Sequence, residues 1–410
     1  MPNTVFLFPN LTGHLNPTLQ IAKEQSESGN KVYYASTMDM MPFAKKHGYE
    51  FYALNSLPFA MGMEDALHDT KKEKWLESLL DRYSDKSYRQ RKADISRLVK
   101  ELDPEVIFLD EFNYSDFILL YPFMEGRRIV LLQTKFPMYF NEKVPPLNSY
   151  AFPGDNVKWL WQRYFIKRNL KVLWSNIKYL GKSDLSILKQ KFKENGVSQK
   201  YEINTQKVFR PTFNNLEEWF LVKKELDFQE QKLLPWQKYV EPLFDLKRKE
   251  EITESCKKFV EHAKSNTQNK LIYCSLGTVL KTHAKGKEKQ VLKFFQNLIA
   301  LAEENLNWYF YAVVEKEFLN ELKPQSPNIK LLEYAPQIYL LNNADLFITH
   351  AGMGSVNEAF CINVPMLVVP LNNKWDQNGT AARVVYKGLG QKADLKDSKE
   401  VLRKNISSFF

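Results

Sequence analysis

The chain has 410 residues, of which 44% are hydrophobic and 14% are aromatic. This composition can bury large cores and excludes a chain that is disordered over most of its length, and the length suggests two or three domains. Lys and Arg outnumber Asp and Glu by 58 to 48, which gives a net charge of +10. That charge suits an anionic ligand, nucleic acid or an anionic membrane surface, and does not distinguish between them.

The cysteine pattern and the hydrophobic runs indicate in which cellular compartment the protein is expected. Cys256, Cys274 and Cys361 are widely spaced, which argues against a disulfide framework or a zinc site. The first residues lack a basic segment followed by a long apolar core, so they predict a strand and not a signal peptide. No uncharged apolar run reaches the roughly 18 residues of a membrane span. We therefore expect a cytoplasmic protein.

The first half of the chain alternates strand and helix patterns. Strands are predicted at residues 4–8, 32–35, 51–53, 106–110 and 128–132. A glycine-containing loop and an amphipathic helix separate the first two, which is a βαβ unit and implies a parallel sheet. Ligand sites in such open doubly wound domains lie at the carboxyl ends of the strands. His14 and Asp110 both follow predicted strand ends, so we expect a site there.

The second half repeats the alternation, with strands predicted at residues 271–275, 308–313, 329–333, 346–349 and 366–370. After the fourth of these strands, Gly352 and Gly354 are placed where the chain must turn tightly, and Ser355 can open a helix. Strand, glycine turn and helix aim backbone N–H groups and a positive helix end at an anion. Ser355 and Glu358 also fit a plain capping box, so a structural interpretation stays open.

Several motifs around this turn occur together and in a fixed order. They are Tyr334-Ala335-Pro336-Gln337, then Thr349-His350 with Gly352, Ser355 and Glu358-Ala359, then Val364-Pro365-Met366, then Asp376-Gln377. This pattern resembles the donor-binding signature of the family 1 UDP-dependent glycosyltransferases, in particular the bacterial macrolide-type branch. These blocks lie within residues 334–377, and the order of several matching blocks makes chance agreement improbable.

The resemblance implies the fold class called GT-B, in which two Rossmann-like doubly wound α/β domains face each other across a cleft. We expect an acceptor-binding domain at residues 1–241, a linker at 242–269 and a nucleotide-sugar-binding domain at 270–410. Glu241 stands where relatives usually carry the glycine of a Gly-Pro pair before the linker. Relatives usually continue further beyond the position of Gln377, so the C-terminal crossover helix is expected to be shortened or missing.

The resemblance also assigns the chemistry of the first domain. His14, in the pattern Gly13-His14-x-x-Pro17, is the expected catalytic base for the acceptor hydroxyl, because an imidazole can accept a proton at neutral pH. Asp110 is the expected carboxylate that orients the imidazole, as in hydrolase triads. Glu111 or Asp116 could take that role instead, or Asp110 could simply cap a helix.

For the donor, the resemblance assigns roles residue by residue. Tyr334 stacks on uracil, Gln337 lies beside the base and ribose, Glu358 accepts from the ribose hydroxyls, and Trp375, Asp376 and Gln377 hold the sugar. His350, Ser355, Thr278 and the N–H groups around Gly352 and Gly354 contact the diphosphate. For Tyr334 and Trp375, plain core packing remains the alternative. Because the helix end and protein donors meet the phosphate charge, we expect neither a metal nor another cofactor.

The expected function is inverting transfer of a sugar, glucose in the first instance, from UDP to a hydroxyl of a small lipophilic acceptor, giving a β-O-glycoside. The acceptor would be phenolic, polyketide or terpenoid, with Phe59, Met61, Phe136 and Met138 as expected lining. A lipid or carotenoid transferase at the membrane surface is the alternative within the same chemistry. A catalytically silent nucleotide-binding homologue and a sugar-nucleotide epimerase are alternatives of other kinds.

Residues 157–180 mix aromatic and aliphatic side chains with Lys and Arg. The pattern predicts an amphipathic helix that covers the acceptor cleft and keeps its basic groups in water. A second interpretation is a helix in weak peripheral contact with an anionic membrane. Basic residues interleaved with aromatics also occur in nucleic-acid interfaces, but no recognised nucleic-acid motif accompanies them here. We therefore expect no nucleic-acid partner.

Overall fold

The computed structural model describes residues 1–60, 75–241, 246, 248–277 and 284–410. They form two compact units. The first comprises Met1–Asn141, Lys158–Lys223 and Gln231–Phe244, and the second comprises Glu142–Val157, Lys224–Glu230 and Asp245–Phe410. In the described ranges, no helix is both long enough and apolar enough to cross a bilayer.

The first unit is built on a parallel sheet with strand order β3-β2-β1-β4-β5-β8-β9 and a separate antiparallel pair, β6-β7. The strands are β1 Asn3–Leu7, β2 Lys31–Ser36, β3 Glu50–Ala53, β4 Pro104–Asp110, β5 Arg128–Gln133, β6 Ile203–Asn204, β7 Thr212–Phe213, β8 Glu218–Phe220 and β9 Gln237–Tyr239. The described helices are α1 Thr12–Leu15, α2 Leu19–Glu27, α3 Met41–Lys46, α4 Trp75–Ser84, α5 Lys86–Leu102, α6 Asp116–Leu120, α7 Val157–Lys178 and α8 Asp184–Glu194.

Both faces of this sheet are covered, which explains why its strands are apolar at consecutive positions. Val5 and Leu7 of β1 pack into one core, while Phe6 and Phe8 pack into a second core on the opposite face. The central strands β4 and β5 divide their side chains between the same two cores. The parallel pairing of β1 and β4 places their carboxyl ends side by side, with Leu7 paired to Leu109.

The second unit repeats the arrangement with a parallel sheet of order β12-β11-β10-β13-β14-β15. Its strands are β10 Lys270–Ser275, β11 Trp308–Val313, β12 Ile329–Leu332, β13 Leu346–Thr349, β14 Met366–Val368 and β15 Gly390–Lys392. Its described helices are α9 Glu254–Lys264, α10 Glu288–Glu304, α11 Lys316–Leu319, α12 Gln337–Leu341, α13 Met353–Ile362, α14 Gln377–Tyr386 and α15 Lys399–Ser407. The predicted class, two doubly wound α/β domains, is confirmed.

The last helix, α15, is part of the second unit's core. Its Ser398 side chain caps the helix by accepting from the Val401 amide, and Leu402 and Ile406 are buried with the side chains of α10 and the sheet. The apolar positions four residues apart therefore face the sheet, as the helical period requires.

Two short segments that interrupt the first unit in sequence belong to the second. Residues 142–157 contribute Val144 and residues 224–230 contribute Phe228 to a small core with Ala382 of α14. Asp227 accepts a hydrogen bond from Nε of Arg383 at 2.7 Å, and both side chains are almost completely buried. A buried charge that keeps its partner is tolerated, whereas one that loses its partner is costly.

We therefore expect Asp227→Ala to lower the free energy of unfolding by about 3–5 kcal/mol, because it leaves the Arg383 guanidinium buried without its carboxylate. Asp394→Ala is the matched control, since the Asp394 carboxylate that pairs with Lys392 is 61% exposed, and exposed pairs contribute about 0–1 kcal/mol. Urea unfolding of both variants measures the difference. Equal losses in the two variants would contradict a structural role for the buried pair.

Candidate active site

His14 and Asp110 come together at the carboxyl edge of the first sheet. His14 lies on α1, just after β1, and Asp110 is the last residue of the neighbouring strand β4. The Nδ1 atom of His14 lies 2.7 Å from Oδ2 of Asp110. The imidazole is 13% exposed and the carboxylate is fully buried. The two residues predicted to act together are thus in direct contact.

Three carboxylates lie at the end of β4 or shortly after it, and the structure separates their roles. Asp110 also accepts from the Phe112 amide through Oδ1 at 2.8 Å, so it caps the next turn as well as contacting His14. Glu111 forms an ion pair with Lys135. Asp116 is held by Arg91 through two hydrogen bonds, at 2.9 and 2.6 Å. Asp110 is therefore the one of the three that orients the imidazole.

This geometry fixes which ring nitrogen can act. An ionised carboxylate can only accept hydrogen bonds, so the Nδ1–H group of His14 donates to Asp110 and the lone pair of the neutral ring is on Nε2. The edge of Phe112 lies against the ring, with 4.9 Å between ring centroids. The imidazole can accept a proton at Nε2, and the Asp110 carboxylate stabilises the resulting imidazolium.

A cavity opens at the same edge of the first sheet, past the ends of β1 and β2. It is lined by Phe8, Pro9, Ser36, Thr37, Ser56, Leu57, Pro58, Arg91, Phe112 and Asn113. Five of these ten residues are polar, namely Ser36, Thr37, Ser56, Arg91 and Asn113, and the cavity volume of about 20 Å³ has room for roughly one water molecule. Sequence reasoning did not identify these residues, although their place after strand ends was a usable signal.

The side chains predicted to line the acceptor site lie elsewhere. Phe59, Phe136 and Met138 are all buried, and Phe59 packs edge-on against Tyr88. They are core residues in this structure, and their contact with an acceptor stays a prediction. Met61 lies outside the described residues.

In the second unit, β13 leads into α13 through the glycine turn. The helix begins at Met353 with Gly352 as its N-cap, and no side chain of the described residues caps it. Ser355 is the third helical residue, so the capping-box interpretation of Ser355 and Glu358 is wrong. The first amide groups of α13 are left without a side-chain acceptor, which makes this helix end suited to an anion.

The conformation of the turn differs from the expected one. The left-handed residue is Ala351, with φ of 64°, while Gly352 has an ordinary φ of −67°. Gly352 is needed for a different reason, because a Cβ there would lie 2.5 Å from the His350 ring. A Cβ at Gly277 would also lie 2.5 Å from that ring. The His350 imidazole therefore lies between two glycines that cannot carry side chains.

Gln337, Ser355 and Glu358 form a connected group at the start of α12 and α13. The Gln337 amide donates to Oε2 of Glu358 at 2.5 Å and lies 3.3 Å from the Ser355 hydroxyl. Its carbonyl oxygen accepts from the Tyr273 hydroxyl at 3.3 Å. Ser355 and Glu358 thus share one face of α13, as their spacing predicts. The structure brings these predicted donor residues together.

The structure adds two residues that sequence analysis missed. Arg248 donates to Oε1 of Glu358 at 2.5 Å, and Glu250 accepts from the Ile338 and Tyr339 amides at 3.1 and 3.0 Å. Burial alone would lower the pKa of Arg248, but the Glu358 and Glu250 carboxylates raise it above its ordinary value. The segment before α9 therefore fixes both the start of α12 and the Glu358 carboxylate.

The remaining predicted donor residues differ in exposure. The Tyr334 side chain is 64% exposed, so core packing is excluded and its ring is available to a ligand. Trp375 and Asp376 are partly exposed at the start of α14. Gln377 is buried, and its Oε1 accepts from the Leu371 amide at 2.8 Å, so it shapes the loop that carries Trp375 and Asp376. Thr278 lies outside the described residues.

Comparison with known proteins gives this geometry a context. The family model described as UDP-glucoronosyl and UDP-glucosyl transferase matches residues 175–404, more than half of the chain. The chain is 24% identical over 375 residues to UDP-glucuronosyltransferase 3A1 of Homo sapiens, which covers 90% of this chain and 65% of that protein. It is 29% identical over 144 residues to zeaxanthin glucosyltransferase of Pantoea ananas, which covers 35% of this chain and 32% of that protein.

The chain thus spans less than two thirds of the length of these relatives. Among solved structures, the glycotransferase of kitacinnamycin matches with a TM-score of 0.70 at 18% identity, covering 100% of this chain and 91% of that chain. At this identity the likeness establishes a shared fold over the whole chain.

The two glycines of the turn give a matched test of the second unit. Gly352→Ala should displace the His350 ring and cost about 1–3 kcal/mol in stability, because the new methyl group overlaps the imidazole. Gly354→Ala should leave the ring in place, because a Cβ there meets nothing within 4 Å. Imidazole NMR signals and urea unfolding report both effects. An unmoved His350 signal in Gly352→Ala would contradict the close approach.

Proposed function

Because the chain belongs to the family of UDP-glucuronosyl and UDP-glucosyl transferases, we propose that it is an inverting UDP-sugar glycosyltransferase. It transfers a hexose, glucose in the first instance, to a hydroxyl of a small lipophilic acceptor and forms a β-O-glycoside. The observation that carries this proposal is the contact between His14 and the buried Asp110 carboxylate, at 2.7 Å. A silent nucleotide-binding protein has no need of an oriented base.

In the proposed reaction the acceptor oxygen attacks the anomeric carbon of the sugar. The bond from that carbon to the diphosphate breaks, and UDP leaves with the electron pair. The proton of the acceptor hydroxyl passes to Nε2 of His14, while the bond from Nδ1 to Asp110 holds the ring and stabilises its positive charge. Attack from the face opposite the leaving group inverts the configuration, so an α-linked donor yields a β-linked product.

The second unit is proposed to hold the donor. A vicinal diol matches a carboxylate acceptor, so Glu358, already aligned by Gln337 and Arg248, would accept from the ribose hydroxyls. The diphosphate would lie beside His350 at the start of α13, where the described part of the chain supplies no side-chain cap. Tyr334 would stack on uracil through its exposed ring. Helix amides and these side chains would stabilise the negative charge of the diphosphate without a metal ion.

The acceptor is proposed to bind in the first unit, at the edge of the sheet that carries His14. A phenolic, polyketide or terpenoid compound is the proposed acceptor. A second candidate is a lipid or carotenoid acceptor met at a membrane surface. That candidate is favoured by α7, which leaves a row of large apolar side chains in solvent, and zeaxanthin in a relative's name belongs to the same chemical class.

His14→Ala should lower the rate of transfer by about 10²- to 10⁴-fold, the usual contribution of a positioned base, and should leave UDP affinity unchanged. Asp110→Asn should lower the rate in the same way, because an amide can present its N–H to the ring and favour the wrong tautomer. His262→Ala, an exposed histidine on α9, is the control. Turnover of a UDP-sugar with an acceptor measures the rate of transfer, and calorimetry with UDP measures the affinity for UDP. Full activity in His14→Ala would remove the proposed base.

Glu358→Ala should weaken UDP binding by about 1.5–3 kcal/mol, the value of a hydrogen bond to a charged group. The wild-type protein should bind UDP more tightly than its 2′-deoxy analogue, and the variant should not distinguish the two nucleotides. Glu261→Ala, an exposed carboxylate on α9, should behave as wild type. Persistent discrimination between the nucleotides in Glu358→Ala would assign the ribose contact to another residue.

A further inference from the structure

Helix α7 carries two apolar faces. One face packs on the first unit, where Trp161 is buried and stacks on Phe165 with 5.3 Å between ring centroids. The other face points to solvent and carries Trp159, Ile166, Leu170, Leu173, Trp174 and Ile177, each about half exposed or more. Their spacings of three, four and seven residues place them along one side of the helix. A surface helix of a globular protein needs only the first of these faces.

Helix α4 extends the exposed apolar side. Leu76, Leu80 and Tyr83 are each more than half exposed, and their spacing of four and three residues aligns them on one side of α4. Nε1 of Trp75 donates to the Lys178 carbonyl at 3.0 Å, and the Tyr83 hydroxyl donates to the Leu180 carbonyl at 2.8 Å. These bonds tie α4 to the end of α7. We call the exposed sides of these two helices together the α4–α7 surface.

A guanidinium adds to this connection between the two helices. Arg82 of α4 donates to the Lys182 carbonyl at 3.0 Å and lies over the Tyr179 ring at 4.1 Å. Of the exposed large apolar side chains in the described ranges, more than half lie on α4, on α7 or at Leu180. Monomeric soluble proteins rarely expose apolar patches of more than a few hundred Å² unless the patch binds something. The α4–α7 surface therefore needs an occupant.

The charge around the apolar side indicates which occupant. Residues 157–180 contain no Asp or Glu. Lys158, Arg163, Lys167, Lys171 and Lys178 are exposed, and the last four lie beside the apolar row on the helix. A second copy of the chain would bring these five cations against each other, with Glu77 of α4 as the exposed carboxylate that the two helices offer, and an excess of like charges opposes such an interface. Anionic head groups complement them instead.

We propose that the α4–α7 surface docks on an anionic lipid bilayer, with α7 lying in the plane of the interface. Leucine, isoleucine and tryptophan side chains would enter the boundary between head groups and acyl chains, and the flanking Lys and Arg would contact the phosphates. Trp75 and Tyr83 have the amphipathic rings that are favoured at this depth. Such binding is peripheral, reversible and sensitive to salt. It does not depend on the proposed transferase reaction.

Co-sedimentation of the full chain with vesicles tests the proposal. We expect binding to phosphatidylglycerol/phosphatidylcholine vesicles at low salt, weak binding to phosphatidylcholine alone, and release as salt rises. Tryptophan emission should shift to the blue on binding, because exposed rings move out of water. No binding to the anionic vesicles at low salt would overturn the proposal.

Two triple variants separate the apolar and basic contributions. Leu170→Gln, Trp174→Gln and Ile177→Gln together should lower partitioning at least about tenfold, through lost apolar burial. Arg163→Gln, Lys167→Gln and Lys171→Gln together should lower it about a hundredfold, since each basic residue near an anionic surface contributes roughly fivefold. All six positions are on the exposed side of the helix, so folding should be unaffected, which circular dichroism checks.

Matched controls lie on the second unit. Lys374→Gln, Lys396→Gln and Lys404→Gln together remove the same charge from exposed positions, and Leu306→Gln with Val401→Gln removes exposed apolar side chains. Both should bind vesicles nearly as well as wild type. Equal losses of vesicle binding in the control variants and the test variants would show that binding depends on net charge and not on the α4–α7 surface, which would overturn the proposal. A solution dimer that dissociates in the apolar triple variant, without vesicle binding by the wild type, would assign the surface to a second copy instead.

Discussion

The parallel pairing of β1 with β4 is the constraint on which the proposed chemistry depends. Because both strands run in the same direction and are in register from Thr4 to Leu7, their carboxyl ends deliver α1 and the turn after Asp110 to the same edge. Chain segments almost a hundred residues apart thereby place an imidazole 2.7 Å from a buried carboxylate. Burial of Asp110 keeps water from competing for this bond, and the Phe112 amide satisfies its second oxygen.

The second unit uses the same sheet geometry for a different purpose. There the strand β13 leads to a helix start that no side chain of the described residues caps, and close packing of His350 between Gly277 and Gly352 fixes an imidazole beside it. Glu358 is held from both sides, by Gln337 and by Arg248. A carboxylate with both oxygens already bonded has little freedom to reorient, so this group of side chains is fixed in the absence of a ligand.

The fold and much of the site could be predicted from the sequence because they depend on short patterns. Alternating strand and helix periods specify doubly wound units, and residues that follow neighbouring strand ends must meet, as His14 and Asp110 do. Arg248 could not be found this way. It lies in a charged segment without periodicity and reaches a carboxylate 110 residues away. Spacing likewise could not assign the left-handed conformation to Ala351 instead of Gly352.

Apolar composition was the least informative signal. Phe136 and Met138 have the apolar character of ligand-binding residues but are buried in the core. The sequence alone does not distinguish an apolar residue that packs in a core from one that lines a binding site. The two faces of α7 show the converse. The sequence of residues 157–180 predicts an amphipathic helix, whereas α7 is apolar on two opposite sides, and only the structure distinguishes the packed side with Trp161 from the exposed side with Trp174.

Transfer of a sugar from a UDP-sugar to an acceptor hydroxyl can be measured directly. UDP-glucose would be incubated with the protein and a mixed panel of phenols, flavonoids and carotenoids, with and without EDTA, and products would be analysed by mass spectrometry. We expect an acceptor that gains the mass of one hexose, to the same extent in both samples. UDP binding without any product across the panel would contradict it and favour a silent nucleotide-binding protein.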